Sequence, residues 1–143
     1  MTNLTIYTDG AYSPARNQGG IGIIILKNGK KIYEYGNMYK DVTNNKMEIG
    51  AIIIALRLIK KPIDSLTIYS DSMYAIGCAT LGWKRKKNIL LWEEFDKQYS
   101  RVKELCPKIE FIHVKGHQSG EIDEHAKWNN ECDKLAVKYS QLI

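Results

Sequence analysis

The chain has 143 residues, 44% of them hydrophobic and 26% charged, which suits one soluble domain spanning 1–143 with a sizeable core. No apolar run approaches the roughly 20 residues a membrane helix needs, which excludes a membrane-spanning helix. The net charge of +5, from 21 Lys+Arg against 16 Asp+Glu, is compatible with a polyanionic partner without establishing one. Cys78, Cys106 and Cys132 are an odd count without CxxC spacing, and Met1-Thr2-Asn3-Leu4 lacks the basic-then-apolar pattern of a signal peptide. Both features predict reduced thiols in a cytoplasmic protein.

The first strand is predicted at residues 4–8, followed by a loop over 10–20 rich in Gly, Ser, Pro and Asn. Strands at 21–27 and 31–37 are joined by Asn28-Gly29, a hairpin signal. A helix is expected from about 44 to 60, capped by Thr43 or Asn44 and stopped before Pro62. It is apolar almost all round, which predicts a central helix. A strand at 66–70 follows, then a short helix after Asp71 ending near Gly82, and a helix from about 88 to 103. A strand at 108–114, a polar loop at 115–127 and a helix from about 129 to 140 complete the chain. The order predicts an α/β fold: a five-stranded mixed sheet flanked by about four helices. Strands 1, 4 and 5 would be parallel through helical crossovers, with strands 2 and 3 as the antiparallel edge.

Asp9 and Asp71 close strands 1 and 4, at the carboxyl ends where open α/β sheets carry their working crevice. If those strands are neighbours, the two acids stand side by side. Glu48 interrupts the apolar stretch from Met47 to Leu56, where packing has no use for an acid, and Asp133 is read near the start of the last helix. Converging buried carboxylates raise one another's pKa and call for a bound cation. Carboxylate pairs also serve glycosidases and aspartic proteases. Four acids, a basic chain and no apparent Ser or Cys elbow favour a two-metal nuclease, with hard oxygen ligands suited to Mg²⁺ or Mn²⁺ over zinc. A zinc site from His113, His117, His125 and Cys132 is disfavoured by irregular spacing and an acidic flanking loop. The densest cationic run, Lys84-Arg85-Lys86-Lys87, follows Trp83, a pattern that suits stacking and phosphate neutralisation and equally suits a solvated loop.

The motifs come in a distinctive order: Tyr7-Thr8-Asp9-Gly10, Gly19-Gly20-Ile21-Gly22, Thr43-Asn44-Asn45-Lys46-Met47-Glu48, Tyr69-Ser70-Asp71-Ser72, Val114-Lys115-Gly116-His117, and Asn129-Asn130-Glu131-Cys132-Asp133-Lys134-Leu135-Ala136. Taken together they closely resemble type 1 ribonuclease H, from the first strand to the last helix. The resemblance implies an RNase H-like fold and endonucleolytic cleavage of the RNA strand of RNA–DNA hybrids with two Mg²⁺, Mn²⁺ being a substitute, leaving 3′-hydroxyl and 5′-phosphate ends. It implies that Asp9 bridges both ions, that Asp133 holds the water-side ion, and that Glu48 and Asp71 hold the leaving-group ion. Asn44 and Asn45 match readers of RNA 2′-hydroxyls, which an amide serves as donor and acceptor. Thr43 and Asn88 match a DNA-phosphate pocket. Trp83, given one extra residue after Asp71, matches the tryptophan lining the DNA-strand channel, and core packing is its competing reading. Trp92 is read as core and His113 as structural. His117 of the Gly-His pair is the choice for proton transfer or product release, with His125 as the alternative nearer Asp133. The expected partner is the hybrid alone: no obligate protein partner, no membrane, a monomer.

Singly, Asp9 and Asp71 could cap turns and Asp133 could be a first-turn acid complementing the helix dipole. Jointly, with Glu48 in its apolar helix, those readings weaken. The chain departs from the resemblance twice. Only Lys84 to Lys87 replaces the long basic protrusion found in many relatives, and His117 lies sixteen residues before Asp133, against about ten in relatives. A non-catalytic hybrid- or dsRNA-binding module on the same fold has no need of all four acids, and a resolvase or integrase-like nuclease has no need of Thr43-Asn44-Asn45.

Overall fold

The centre of the sheet is built by β-branched runs that alternate between two covered faces. A computed structural model describes residues 1–114 and 124–143. Its elements are β1 (Asn3–Ser13), β2 (Gln18–Lys27), β3 (Lys30–Lys40), α1 (Asn44–Arg57), β4 (Ser65–Ser70), α2 (Met73–Thr80), α3 (Ile89–Lys103), β5 (Lys108–His113) and α4 (Glu124–Ser140). The strand order is β3-β2-β1-β4-β5. β1 runs parallel to β4, β4 parallel to β5, and β2 antiparallel to both β1 and β3. This is the mixed sheet the element order predicts. No helix among the described residues is long and apolar enough to cross a membrane.

Strand periodicity sorts the core. Ile6, Ile21, Ile23 and Ile25 belong to the cluster containing Ile49, Ile52 and Leu56 of α1, with Trp92 and Phe95 of α3 behind it. Tyr7, Ile24 and Leu26 belong to the cluster containing Cys132 of α4. α1 lies between the sheet and α3, which explains its nearly continuous apolar surface.

Three boundaries differ from the sequence expectation. The stretch 10–20 is mostly sheet: β1 and β2 stay paired to Ser13↔Gln18, around a turn at 14–17 with Asn17 at φ 47°. Its glycines answer to helix packing, since a Cβ on Gly20 would lie 2.1 Å from the Ala136 carbonyl oxygen of α4. α1 ends at Arg57, short of residue 60, with Leu58 as its C-cap. α4 begins at Glu124, inside the segment expected to be loop, because Ala126 and Asn129 are already buried against the sheet. The hairpin at Asn28-Gly29, with φ 48° and 86°, follows the sequence signal.

Candidate active site

The β1–β4 ladder ends at Thr8↔Ser70, so Asp9 and Asp71 are the next residue on each strand path and stand adjacent. β1 itself continues to Ser13 along β2, so Asp9 closes the parallel ladder and not the strand. Glu48 rises from the second turn of α1. α1 comes this close because residue 10 has no side chain: a Cβ there would lie 2.5 Å from the Met47 carbonyl carbon. The Gly10 N–H donates to Asp9 Oδ1 at 2.9 Å and to Glu48 Oε1 at 2.7 Å. One backbone donor thus aims two carboxylates.

One carboxylate oxygen from each of Asp9, Glu48 and Asp71 lies within 4.8 Å of the others. Asp9 and Glu48 are buried, and Asp71 is half-buried. Asp9 Oδ2 and Asp71 Oδ1 are buried without a hydrogen-bond donor among the described residues. Burial, then the charges of Glu48, Asp71 and Asp133, pushes the Asp9 carboxyl up to about 11. Burial, then the Asp71 charge, holds Glu48 well above the usual carboxylate range. Orphaned hard oxygens crowded at one point fit a divalent cation of the Mg²⁺ class, which removes the repulsion and satisfies the acceptors together.

Asp133 lies nine residues beyond the start of α4 at Glu124, so it is neither near a helix start nor a first-turn acid. Its charge acts on both Asp9 and Cys132. Burial, then the Asp9 charge, pushes the Cys132 thiol far up, and its Sγ turns to the sheet, 3.0 Å from the Gly22 carbonyl oxygen. Its two carbonyl contacts, to Tyr7 and Gly22, commit the thiol to the sheet. His113 is exposed, its Nε2 3.2 Å from the Asp71 carbonyl oxygen.

Thr43 is the N-cap of α1, its hydroxyl accepting from Lys46 N at 3.2 Å, and Asn44 and Asn45 are exposed on the first turn beside it. Asn88 is the N-cap of α3 at φ 59°. Its amide donates to the Tyr74 hydroxyl at 3.3 Å. Asn88 and Lys46 both line a groove of about 670 Å³ between α1 and the start of α3. Trp83 is 45% exposed, which sets aside its core reading. Its ring lies against α2, where a Cβ on Gly77 would meet it at 2.2 Å. Trp92 is core, as read, edge-on to Phe95.

The basic run divides. Lys84, Lys86 and Lys87 are exposed. Arg85 turns inward: Nε donates to the Cys78 carbonyl at 3.0 Å, Nη1 donates to both Asp96 oxygens at 2.9 and 2.8 Å, and the guanidinium stacks 4.8 Å from the Trp92 ring. His117 lies outside the described residues. His125 is helical, not a loop residue, and shares a 2.5 Å hydrogen bond with the Tyr7 hydroxyl. Sequence reasoning misses Tyr7, Tyr69 and Tyr74. The first two carry a signal, the repeated Tyr two positions before each strand-end aspartate.

The RNase H family model matches residues 1–141. A ribonuclease H of Trichodesmium erythraeum (strain IMS101) is 40% identical over 151 aligned positions, covering 99% of this chain and 91% of that one. The structure is similar to that of prototype foamy virus protease-reverse transcriptase, with TM-score 0.80 and 24% identity, over 100% of this chain and 21% of the viral one. It is also similar to LC11-RNase H1 in complex with an RNA/DNA hybrid, with TM-score 0.69 and 24% identity over 94% of each chain. A family match over residues 1–141 and a ribonuclease H 40% identical along nearly the whole chain agree: the chain belongs to the ribonuclease H family of enzymes.

Proposed function

We propose that this protein hydrolyses the RNA strand of RNA–DNA hybrids endonucleolytically, by a two-metal-ion mechanism that leaves 5′-phosphate and 3′-hydroxyl ends. The observation that carries the reading is the convergence of Asp9, Glu48 and Asp71 with buried, donorless oxygens in a ribonuclease H chain. Two Mg²⁺, or Mn²⁺ in their place, supply hydroxide near neutral pH and neutralise charge on the departing oxygen when bound. The chain's own residues do the rest. Asp9 would help to hold both ions, Asp133 the one on the water side, and Glu48 and Asp71 the one on the leaving-group side. The Gly10 N–H keeps Asp9 and Glu48 aimed before substrate arrives, so little reorganisation remains.

Asn44 and Asn45, exposed on the turn of α1 that leads to Glu48, offer amides to RNA 2′-hydroxyls. Thr43 and Asn88, capping α1 and α3, receive a DNA phosphate. Trp83 with Lys84, Lys86 and Lys87 lines the DNA-strand path, and His117 serves proton transfer or product release. Arg85 belongs to this surface by holding the loop. The protein works as a monomeric single domain in the cytoplasm, consistent with three free, buried cysteines. The hybrid seen with LC11-RNase H1 supports the choice of substrate.

The test is cleavage of a labelled RNA–DNA hybrid with Mg²⁺ or Mn²⁺, with single-stranded RNA, dsRNA and dsDNA as controls. Only the hybrid should be cut. Asp71→Asn should slow cutting about a thousandfold, the loss of roughly 4 kcal/mol of transition-state stabilisation. A wild type that binds the hybrid without cutting it, or an Asp71→Asn variant of full activity, overturns the reading.

A further inference from the structure

α4 carries a side-chain stripe that meets the acids at one end and a tyrosine pair at the other. His125, Asn129 and Asp133 recur every four residues, which aligns them along one face of the helix. At the N-terminal end of this stripe the His125 ring lies 4.8 Å from the Tyr69 ring centroid, and His125 Nδ1 shares the hydrogen bond with the Tyr7 hydroxyl. Tyr7 and Tyr69 are register partners on β1 and β4, stacked at 4.8 Å and 11°. Each stands two residues before an acid, Asp9 or Asp71, and so projects from the same face of the sheet as that acid. One imidazole therefore ties α4 to both strands immediately behind the cluster. Between its ends lies Asn129, 4% exposed, whose Oδ1 is buried without a donor among the described residues. The helix is tied to the sheet at two levels, by His125 at its start and by Cys132 Sγ, 3.0 Å from the Gly22 carbonyl oxygen, beside Asp133, while Asn129 Oδ1 between them has no donor among the described residues.

We propose that His125 is a positioning residue: through the Tyr7 hydroxyl and the Tyr69 ring it fixes the start of α4, and with it the placement of Asp133 relative to Asp9 and Asp71. Its partners in this role are the two tyrosines, which a two-residue step along each strand sets roughly 7 Å behind the acids. The proposal rests on the reading of those acids as cation ligands.

The test titrates Mg²⁺ against the thermal midpoint of wild type, Tyr7→Phe, His125→Ala and the double variant, then measures kcat and KM on the hybrid where all are folded. Each single variant should raise the Mg²⁺ concentration of half-effect and lower kcat about fivefold, the size of one net hydrogen bond, with KM unchanged. The double variant should match His125→Ala, since both substitutions break the same hydrogen bond and only His125→Ala also removes the Tyr69 contact. His125→Gln, which keeps a hydrogen-bonding head, should recover part of the loss. The shape of the pH–rate profile should be the same in all. Folded single variants with wild-type Mg²⁺ response and kcat overturn the proposal, as do losses that multiply in the double variant. So does a pH-profile limb that disappears in His125→Ala and stays in Tyr7→Phe. A wild type that neither responds to Mg²⁺ nor cuts the hybrid overturns the reading of the acids, and the proposal with it.

Discussion

The acid corner and the loop between α2 and α3 are opposites in how far the chain satisfies itself. At the corner, one N–H serves two carboxylates, two buried oxygens lack donors among the described residues, and burial with like charge pushes Asp9 up to about 11. In the loop, Arg85 finds a carbonyl, a bidentate carboxylate and an aromatic face within the same chain. The first arrangement leaves ligand positions that fit a cation. The second is complete and lends its rigidity to the exposed side chains beside it. Chemistry and binding thus sit on regions with opposite contributions to stability.

Asp9→Asn is the strongest way to sharpen that contrast. It should lower hybrid cleavage at least about a thousandfold, because a hard ligand at the shared position is removed. In metal-free protein at neutral pH it should raise stability by about 1–2 kcal/mol, since a carboxyl that must take up a proton to be buried beside Glu48 and Asp71 is replaced by a neutral amide. The pH dependence has a definite sign. The Asp9 carboxyl binds its proton more tightly folded than unfolded, about 11 against an ordinary 3.8, so its contribution is complete at low pH and is lost as pH rises across that window. Metal-free wild type should therefore lose stability with rising pH, by up to about 1.4 kcal/mol per unit for one such group. Asp9→Asn should lessen the slope, and Mg²⁺ should cancel it in the wild type by competing with protons. Chemical denaturation between pH 5 and 9, with and without Mg²⁺, reads all of this. A stability that is flat without metal would contradict the incomplete corner.

Arg85→Ala attacks the other region. It removes the contact of one guanidinium nitrogen with both oxygens of an exposed carboxylate, a carbonyl partner and a stacked guanidinium, and should lower stability by about 1–2 kcal/mol, a few degrees in Tm for a chain of this size. Arg85→Lys should recover little, since it supplies neither the fork nor the flat face. If Arg85→Ala unfolds at the wild-type temperature and only weakens hybrid binding, Arg85 belongs with the lysines after all.

Arg85 also marks where sequence reading stops. In a row of four basic residues, nothing local says which turns inward. That depends on Asp96, eleven residues on, and on Trp92. Features set by neighbours in the chain were legible: the Asn28-Gly29 hairpin, the Thr43 cap, the central α1 and the strand-end pairing of Asp9 with Asp71. Features set by distant packing were not. Gly19 and Gly20 read as loop because glycine is common there, whereas Gly20 is needed where α4 presses on β2. The start of α4 was hidden because Glu124-His125-Ala126-Lys127 carries little apolar signal, and what docks it is a tyrosine 118 residues away.

The smallest expected effect falls on the lysines. Lys86 is exposed beside an anchored arginine, so Lys86→Ala should leave Tm within error and kcat unchanged. With its proposed role in neutralising phosphate lost, affinity for the hybrid should fall about threefold at moderate salt. The diagnostic is the salt slope. Removing one phosphate-neutralising charge should flatten the plot of log affinity against log salt by about 0.9 or less, whatever the hybrid sequence. Trp83, half-exposed beside α2, gives an optical signal for the titration. An unchanged slope in Lys86→Ala, repeated in Lys84→Ala and Lys87→Ala, would mean that the short basic loop does not follow the phosphates. Trp83 and the capping residues Thr43 and Asn88 would then hold the DNA strand without it.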